Sequence, residues 1–376
     1  MKSLVLISHE PLTNRAKQNL CIDRLIEEGY CFEFWDLSNI IHPGIKLNNE
    51  IYEPYSISIS STSILKEHIE KQAIKDTIFF IDMLSRWENR KLFSIFKSYG
   101  CIMVQLDLYA SGTFPMPLSI RLKSLLQSNP LKVLKTNYYR FLYRRYKKSH
   151  GIEKYTKILT TNQKLPSSSL YQKVSFYDYE ESRKPDSRAV VKDSYILFLD
   201  QYFPLHPDTA KIKLNHNKQA EIYLKELNRF FDRIEEKYQQ KVVVALHPKS
   251  LYTSSDFGGR TTIKGETRTL TKYAQFVLMH YTLSISYMVL YSKPLLFLYS
   301  NNIRRLYRSS YLMTKSLALF FKAPFINISK EKAIPEPFMS KEKYKEYKYD
   351  YLTSPEIEST PNSRLILNTI KELDKS

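Results

Sequence analysis

Short apolar runs alternate with amphipathic stretches along the whole chain, and this alternation constrains the fold more than any other feature. It is the pattern of βαβ units and parallel sheets. In the first half, strands are expected at residues 4–7, 31–35, 77–81, 101–106, 158–160 and 174–176. A helix is expected over residues 14–28, stopped by Gly29. The polar stretch 180–188 reads as a linker, after which the alternation resumes. Strands are expected there at 195–199, 242–246, 261–263, 276–279 and 295–298, with helices at 218–238, 270–274 and 282–291. The expected fold class is α/β: two Rossmann-like domains facing a cleft, at 1–185 and 186–340, followed by a charged helical tail at 341–376. In such a fold ligands bind where the carboxyl ends of the strands, their loops and helix N-termini converge.

A length of 376 residues suits two domains of ordinary size. With 43% hydrophobic and 25% charged residues, the chain can bury a core and is no disordered segment. Only 8 residues are Gly, which argues against a glycine-rich phosphate loop as the centre of the chemistry. The formal net charge of +19 calls for an anionic partner: nucleic acid, membrane or phosphorylated substrate. Cys21, Cys31 and Cys101 have neither metal-ligand spacing nor an even count for a disulfide framework, and they suit a reducing compartment. The apolar run at 4–7 is too short for a signal peptide, and no stretch approaches the roughly 20 apolar residues of a membrane span. The expected location is therefore the cytoplasm, at most peripheral on the membrane.

The sharpest candidate site is the strand at 242–246 running into His247, Pro248 and Lys249. Pro248 keeps His247 extended, so its imidazole can project from the strand end. Beside Lys249 it can donate to the phosphate of a leaving nucleotide; a loop histidine satisfied by backbone is the plainer alternative. Thr282, Ser284 and Ser286 open the next expected helix. They read either as ordinary N-caps or as donors to a phosphate at the helix start. Arg260 and Lys264 flank the strand at 261–263 and could contact phosphate or simply form a solvated turn. Asp107 and Asp200 each end a strand, and a carboxylate there can act as a general base or hold a turn. His206 shares the loop after Asp200.

The His-Pro strand end followed by a hydroxyl-rich helix start resembles bacterial sialyltransferases, polysialyltransferases and capsule Kdo transferases of the GT-B fold. The resemblance implies that His247 and Pro248, with Ser284 and Ser286 as the serine element, hold the phosphate and carboxylate side of a CMP-sugar. Ile285 separates the two serines. The acidic motif that supplies the base in those families is spelled here by Glu27-Glu28-Gly29, but this triplet ends an early helix; Asp107 is better placed. More broadly, residues 195–299 resemble proteins encoded in O-antigen and capsule clusters. The resemblance implies a glycosyltransferase with a nucleotide-sugar donor, a glycan or lipid-linked acceptor and a role in surface polysaccharide synthesis. No cofactor and no essential metal are expected.

Residues 121–148, from Arg121 to Lys148, alternate cations with aromatics, notably Tyr138-Tyr139-Arg140-Phe141-Leu142-Tyr143-Arg144-Arg145. This suits an anionic membrane surface; a solvated helix with a buried aromatic stripe fits as well. Single-stranded nucleic acid is a weaker reading, because no nucleic-acid module appears and the strand-end residues would go unexplained. A transferase with a nucleoside-diphosphate sugar or a CDP-polyol donor would use the same His-Pro logic. A non-catalytic scaffold would tolerate alanine at every strand end.

Overall fold

The computed structural model describes residues 3–44, 51–109, 116–126, 130–185, 188–206 and 216–374. The chain divides into two compact units, each built on one parallel sheet. Unit 1 comprises Met1–Thr113, Leu125–Tyr177 and Asp350–Ser376; unit 2 comprises Phe114–Ser124 and Asp178–Tyr349. The main division thus lies at Tyr177/Asp178 rather than at 185/186. Residues 186 and 187 of the expected linker lie outside the described residues.

Unit 1 has seven strands: β1 (Ser3–Ser8), β2 (Phe32–Asp36), β3 (Ser56–Ser58), β4 (Thr77–Asp82), β5 (Ile102–Asp107), β6 (Lys157–Thr160) and β7 (Tyr171–Lys173). Their order is β3-β2-β1-β4-β5-β6-β7, parallel throughout. The central strands are apolar on both faces because both are covered. Leu4, Leu6, Phe34, Ile78 and Phe80 enter one core cluster. The alternate residues Val5, Ile7, Trp35, Phe79 and Ile81 enter the other. Period-2 alternation thus supplies two cores from one set of strands.

Unit 2 has six strands: β8 (Tyr195–Leu199), β9 (Lys241–Leu246), β10 (Thr262–Lys264), β11 (Val277–Met279), β12 (Leu295–Tyr299) and β13 (Phe325–Asn327). Their order is β10-β9-β8-β11-β12-β13, again all parallel. The expected α/β class, with two Rossmann-like sheets, is what the chain forms. The strand order reverses between β1 and β4 in unit 1 and between β8 and β11 in unit 2, so each sheet has a switch point at which a crevice can open.

Several elements depart from expectation. The helix at 14–28 is two helices, Asn14–Asn19 and Ile22–Glu27, broken at Cys21 in the left-handed region (φ 54). Leu20 and Ile22 are both buried, and two residues apart on one straight helix they would point roughly 200° apart. Gly29 (φ 87) ends the second helix as expected. The strand expected at 174–176 falls earlier, at Tyr171–Lys173, because the later residues bond to the C-terminal part of the chain. The Ser175 N–H donates to Asn362 Oδ1 (2.8 Å) and the Phe176 N–H to the Leu352 carbonyl (2.7 Å). The charged C-terminal stretch is no separate tail. Its helix Asn362–Asp374 puts Ile366, Ile370 and Leu373 into a unit 1 core, whereas Lys341–Tyr347 belongs to unit 2.

Candidate functional site

In unit 2 the candidate residues gather at the carboxyl edge. Asp200 directly follows β8 and is buried. Its Oδ1 accepts the Tyr202 N–H (2.8 Å) and its Oδ2 the His247 N–H (3.3 Å). Burial raises its pKa, and those two N–H donors oppose the shift. Both carboxylate oxygens therefore hold backbone, which makes Asp200 a clamp on the His247 turn. His247 follows β9, and its Nδ1 accepts the Lys249 N–H (3.1 Å). In the neutral ring the proton is then assigned to Nε2. The His206 ring stands edge-on to it at 4.9 Å. Pro248 and Lys249 are exposed. Lys264 ends β10, and its Nζ donates to the Ser250 carbonyl (2.7 Å); the Ser250 N–H in turn donates to the His247 carbonyl (2.8 Å). Two imidazoles and two ammonium side chains thus stand at the strand ends of β8, β9 and β10.

Two expected members of that group are engaged elsewhere. The Arg260 guanidinium is bonded to the long helix His216–Tyr238, reaching Asp232 (2.5 Å), Glu235 (2.9 Å) and Asn228 (3.3 Å), and it lies over the Phe231 ring. Its side chain is 8% exposed, so it ties β10 to the helix layer. The hydroxyl-rich helix start also differs from expectation. The helix is Ile285–Leu290, shorter than the expected 282–291, and Ser284 at its N-cap makes no side-chain cap bond. The N–H groups of Ile285, Ser286 and Tyr287 donate to the carbonyls of Thr282, Leu283 and Ser284, and the Ser284 N–H donates to Thr282 Oγ1 (3.2 Å). These donors are engaged within the turn. Ser286 is fully buried, and its hydroxyl bonds Asp178 and the Leu283 carbonyl. Thr282 and Ser284 are half-buried at the carboxyl edge, while Ser286 points into the interior.

At the unit 2 switch point, His280 follows β11 and is a core group. Its Nδ1–H donates to the Leu298 carbonyl (2.7 Å), and its Nε2 accepts from the Tyr223 hydroxyl (2.8 Å). Burial pulls its pKa down to about 4, so it is neutral at pH 7.

In unit 1, Asp107 ends β5, half-buried, and accepts the Thr160 hydroxyl (2.7 Å). The stronger arrangement lies one strand away, at the switch point, and was missed in the sequence. His9 directly follows β1 and Asp82 ends β4. The His9 Nδ1–H donates to the Asp82 backbone carbonyl (2.7 Å), which leaves Nε2 as the basic nitrogen of the neutral ring. Burial raises the pKa of the Asp82 carboxyl, and the neighbouring His9 opposes the shift by favouring the charged form. Arg15, in the helix that follows β1, was missed too. Its guanidinium lies 5.3 Å from the Tyr109 and Tyr177 rings and 5.8 Å from Phe176. Its buried Nε and Nη2 have no hydrogen-bond partner among the described residues. The sequence signal for all three was position alone, since a βα loop and a strand end flanking the strand-order reversal become visible only once β1 and β4 are known to pair. Glu27 and Glu28 instead form ion pairs with Arg24 on the helix surface.

No family model matches the chain, and no curated protein matches it. Among solved structures it is similar to the spinosyn forosaminyltransferase SpnP, at 12% identity with a TM-score of 0.47 and 100% of both chains covered. It is similar to the UDP-GlcNAc 2-epimerase from Methanocaldococcus jannaschii, also at 12%, 0.47 and 100% of both chains. The spinosyn rhamnosyltransferase SpnG complexed with thymidine diphosphate matches at 13% and 0.46, with 99% of this chain and 100% of that chain covered. Likeness of this degree leaves the chemistry to the site itself.

Proposed function

We propose that the protein is a nucleotide-sugar-dependent glycosyltransferase of GT-B type, with unit 2 as the donor side and unit 1 as the acceptor side. The observation that carries this reading is that each unit has a strand-end site of its own and that the two are unlike. One is an electropositive cluster of His206, His247, Lys249 and Lys264. The other is a half-buried histidine whose Nδ1 is held by backbone, beside a half-buried carboxyl, His9 and Asp82. Glycosyl transfer needs both: a pole for the phosphate that leaves and a base for the hydroxyl that attacks.

In this mechanism the acceptor hydroxyl gives its proton to His9 Nε2 as its oxygen bonds to the anomeric carbon. The bond from that carbon to the phosphate oxygen breaks, and the electron pair leaves on the phosphate. His247 Nε2–H and the two lysines meet the developing charge. Asp82 stabilises the imidazolium, Asp200 fixes the His247 turn, and Asp107 stands two strands from His9 as a polar wall of the acceptor side. Phosphate charge is met by protein cations, so turnover is expected to persist in a chelator.

The favoured donor is a CMP-activated nonulosonic acid, of sialic type or Kdo, transferred to a glycan or lipid-linked acceptor in bacterial surface polysaccharide synthesis. The His-Pro element supports this choice. The engaged N–H groups at the Ile285–Leu290 helix start keep a nucleoside-diphosphate sugar or a CDP-polyol as the second reading. Release of free nucleotide from CMP-, UDP-, dTDP- and GDP-sugars, with and without a glycolipid extract as acceptor, tests the proposal. Release from one donor class, lost in His247→Ala, supports it; no release from any donor sinks it.

A further inference from the structure

The helix Pro130–His150 in unit 1 has two apolar faces. The inner one is packed. Tyr143 is buried and its hydroxyl donates to Glu153. Tyr146 bonds the Ser94 hydroxyl (3.1 Å) and meets Trp87 edge-on at 5.9 Å, and Tyr139 lies 6.4 Å from the same ring. The outer face carries Leu131, Leu134, Tyr138 and Phe141 at intervals of three and four residues. They are 74%, 65%, 59% and 59% exposed. On a helix these four fall within an arc of roughly 80°, centred roughly 160° from Tyr143. Single exposed apolar residues are ordinary, but a stripe of four opposite the core is not.

Lys135, Arg140, Arg144, Arg145 and Lys148 are exposed around the stripe, and no Asp or Glu occurs from Pro130 to His150. The placement matters as well. Lys97, just ahead of β5, donates to the His150 carbonyl, so the helix ends near the amino edge of the sheet. Trp87, which Tyr139 meets, lies in the segment after β4. The stripe-bearing half therefore lies toward the carboxyl edge, where His9 and Asp82 stand.

We infer that the first three turns of this helix are an interfacial element that docks unit 1 on an anionic lipid bilayer. Aliphatic and aromatic side chains enter the boundary between headgroups and acyl chains while the flanking cations meet lipid phosphates. A single-stranded nucleic acid would use the rings and cations but has no need of Leu131 and Leu134. The inference rests on the transferase reading for its purpose, the delivery of a lipid-linked acceptor to the His9 edge, but its test needs no turnover.

The full-length protein is sedimented with phosphatidylcholine vesicles, with and without phosphatidylglycerol, alongside Leu134→Glu/Phe141→Glu and Arg144→Glu/Arg145→Glu. All four positions are exposed, and unchanged thermal melting confirms that each variant is folded. Binding is expected only with phosphatidylglycerol, reduced about tenfold or more by either double variant. Three results would overturn the inference: no binding to the anionic vesicles, binding that survives both double variants, or binding sensitive to the arginines alone and equally competed by a single-stranded oligonucleotide. Nucleotide binding measured without vesicles reports on the transferase reading separately.

Discussion

Three histidines at strand ends have three different fates, and their hydrogen bonds decide which. His280 is enclosed between the Leu298 carbonyl and the Tyr223 hydroxyl, its pKa drawn down to about 4 from an unfolded value of 6.5. Because the folded pKa is depressed, the unfolded chain binds more protons between these values. Stability is therefore full above about pH 6.5 and falls as the pH drops toward 4. The expected loss is on the order of 3 kcal/mol by pH 4. Denaturant midpoints measured from pH 7 to 4.5 should show it, and His280→Asn should be less stable at pH 7 yet flatter across that range. His9 differs because a backbone carbonyl holds its Nδ1, while its Nε2 lies 3.9 Å from the exposed Glu10 carboxylate. His9→Ala should lower turnover by about 10² to 10⁴-fold with little change in melting temperature, the usual range for a lost general base. An unchanged rate would remove it from the mechanism. The His-Pro spelling made His247 legible in the sequence. Nothing in its local sequence distinguished His9, because its significance comes from β1 pairing with β4, a contact between distant residues.

The long buried strands were legible as elements: Tyr195–Leu199 lies where its five apolar residues indicate, and β4 and β9 are extended by one residue each. Two short edge strands, Ser56–Ser58 and Phe325–Asn327, went unseen, since three residues carry too little periodicity to register. The broken helix at Cys21 and the short one at Ile285–Leu290 were misjudged for a common reason, namely that tertiary burial overrode the local pattern. The sequence leaves Arg260 open between a phosphate contact and a solvated turn, and in the structure the acids on the helix His216–Tyr238 claim it. Arg260→Ala should therefore cost about 2 kcal/mol in urea unfolding and leave nucleotide affinity within about twofold. A large affinity loss without destabilisation would return Arg260 to the site. In the C-terminal helix, Asn362 bonds both the N–H and the C=O of Ser175, and Ile370 is fully buried. Ile370→Ala should cost about 2–5 kcal/mol, showing that the chain's end is part of unit 1 rather than an appendage.

At the scale of the whole chain, the formal charge is +19, and two groups of its cations enter the proposals made for it. One is the strand-end cluster of unit 2, built by the convergence of β8, β9 and β10; the other is the exposed helix Pro130–His150 of unit 1. Two α/β units were legible from the alternation of apolar runs. The return of Asp350–Ser376 to unit 1 was not, because a charged helical tail looks the same in sequence whether it packs or not. In the proposed transferase the unit 2 cluster holds the donor nucleotide. Thermal shift with CMP, CDP, UDP, dTDP and GDP, on the wild-type protein and His247→Ala, tests it most directly. One nucleotide class should raise the melting temperature and the rise should vanish in His247→Ala, with CMP alone pointing to a nonulosonic acid donor. No shift with any nucleotide, or a shift that His247→Ala leaves intact, would contradict it.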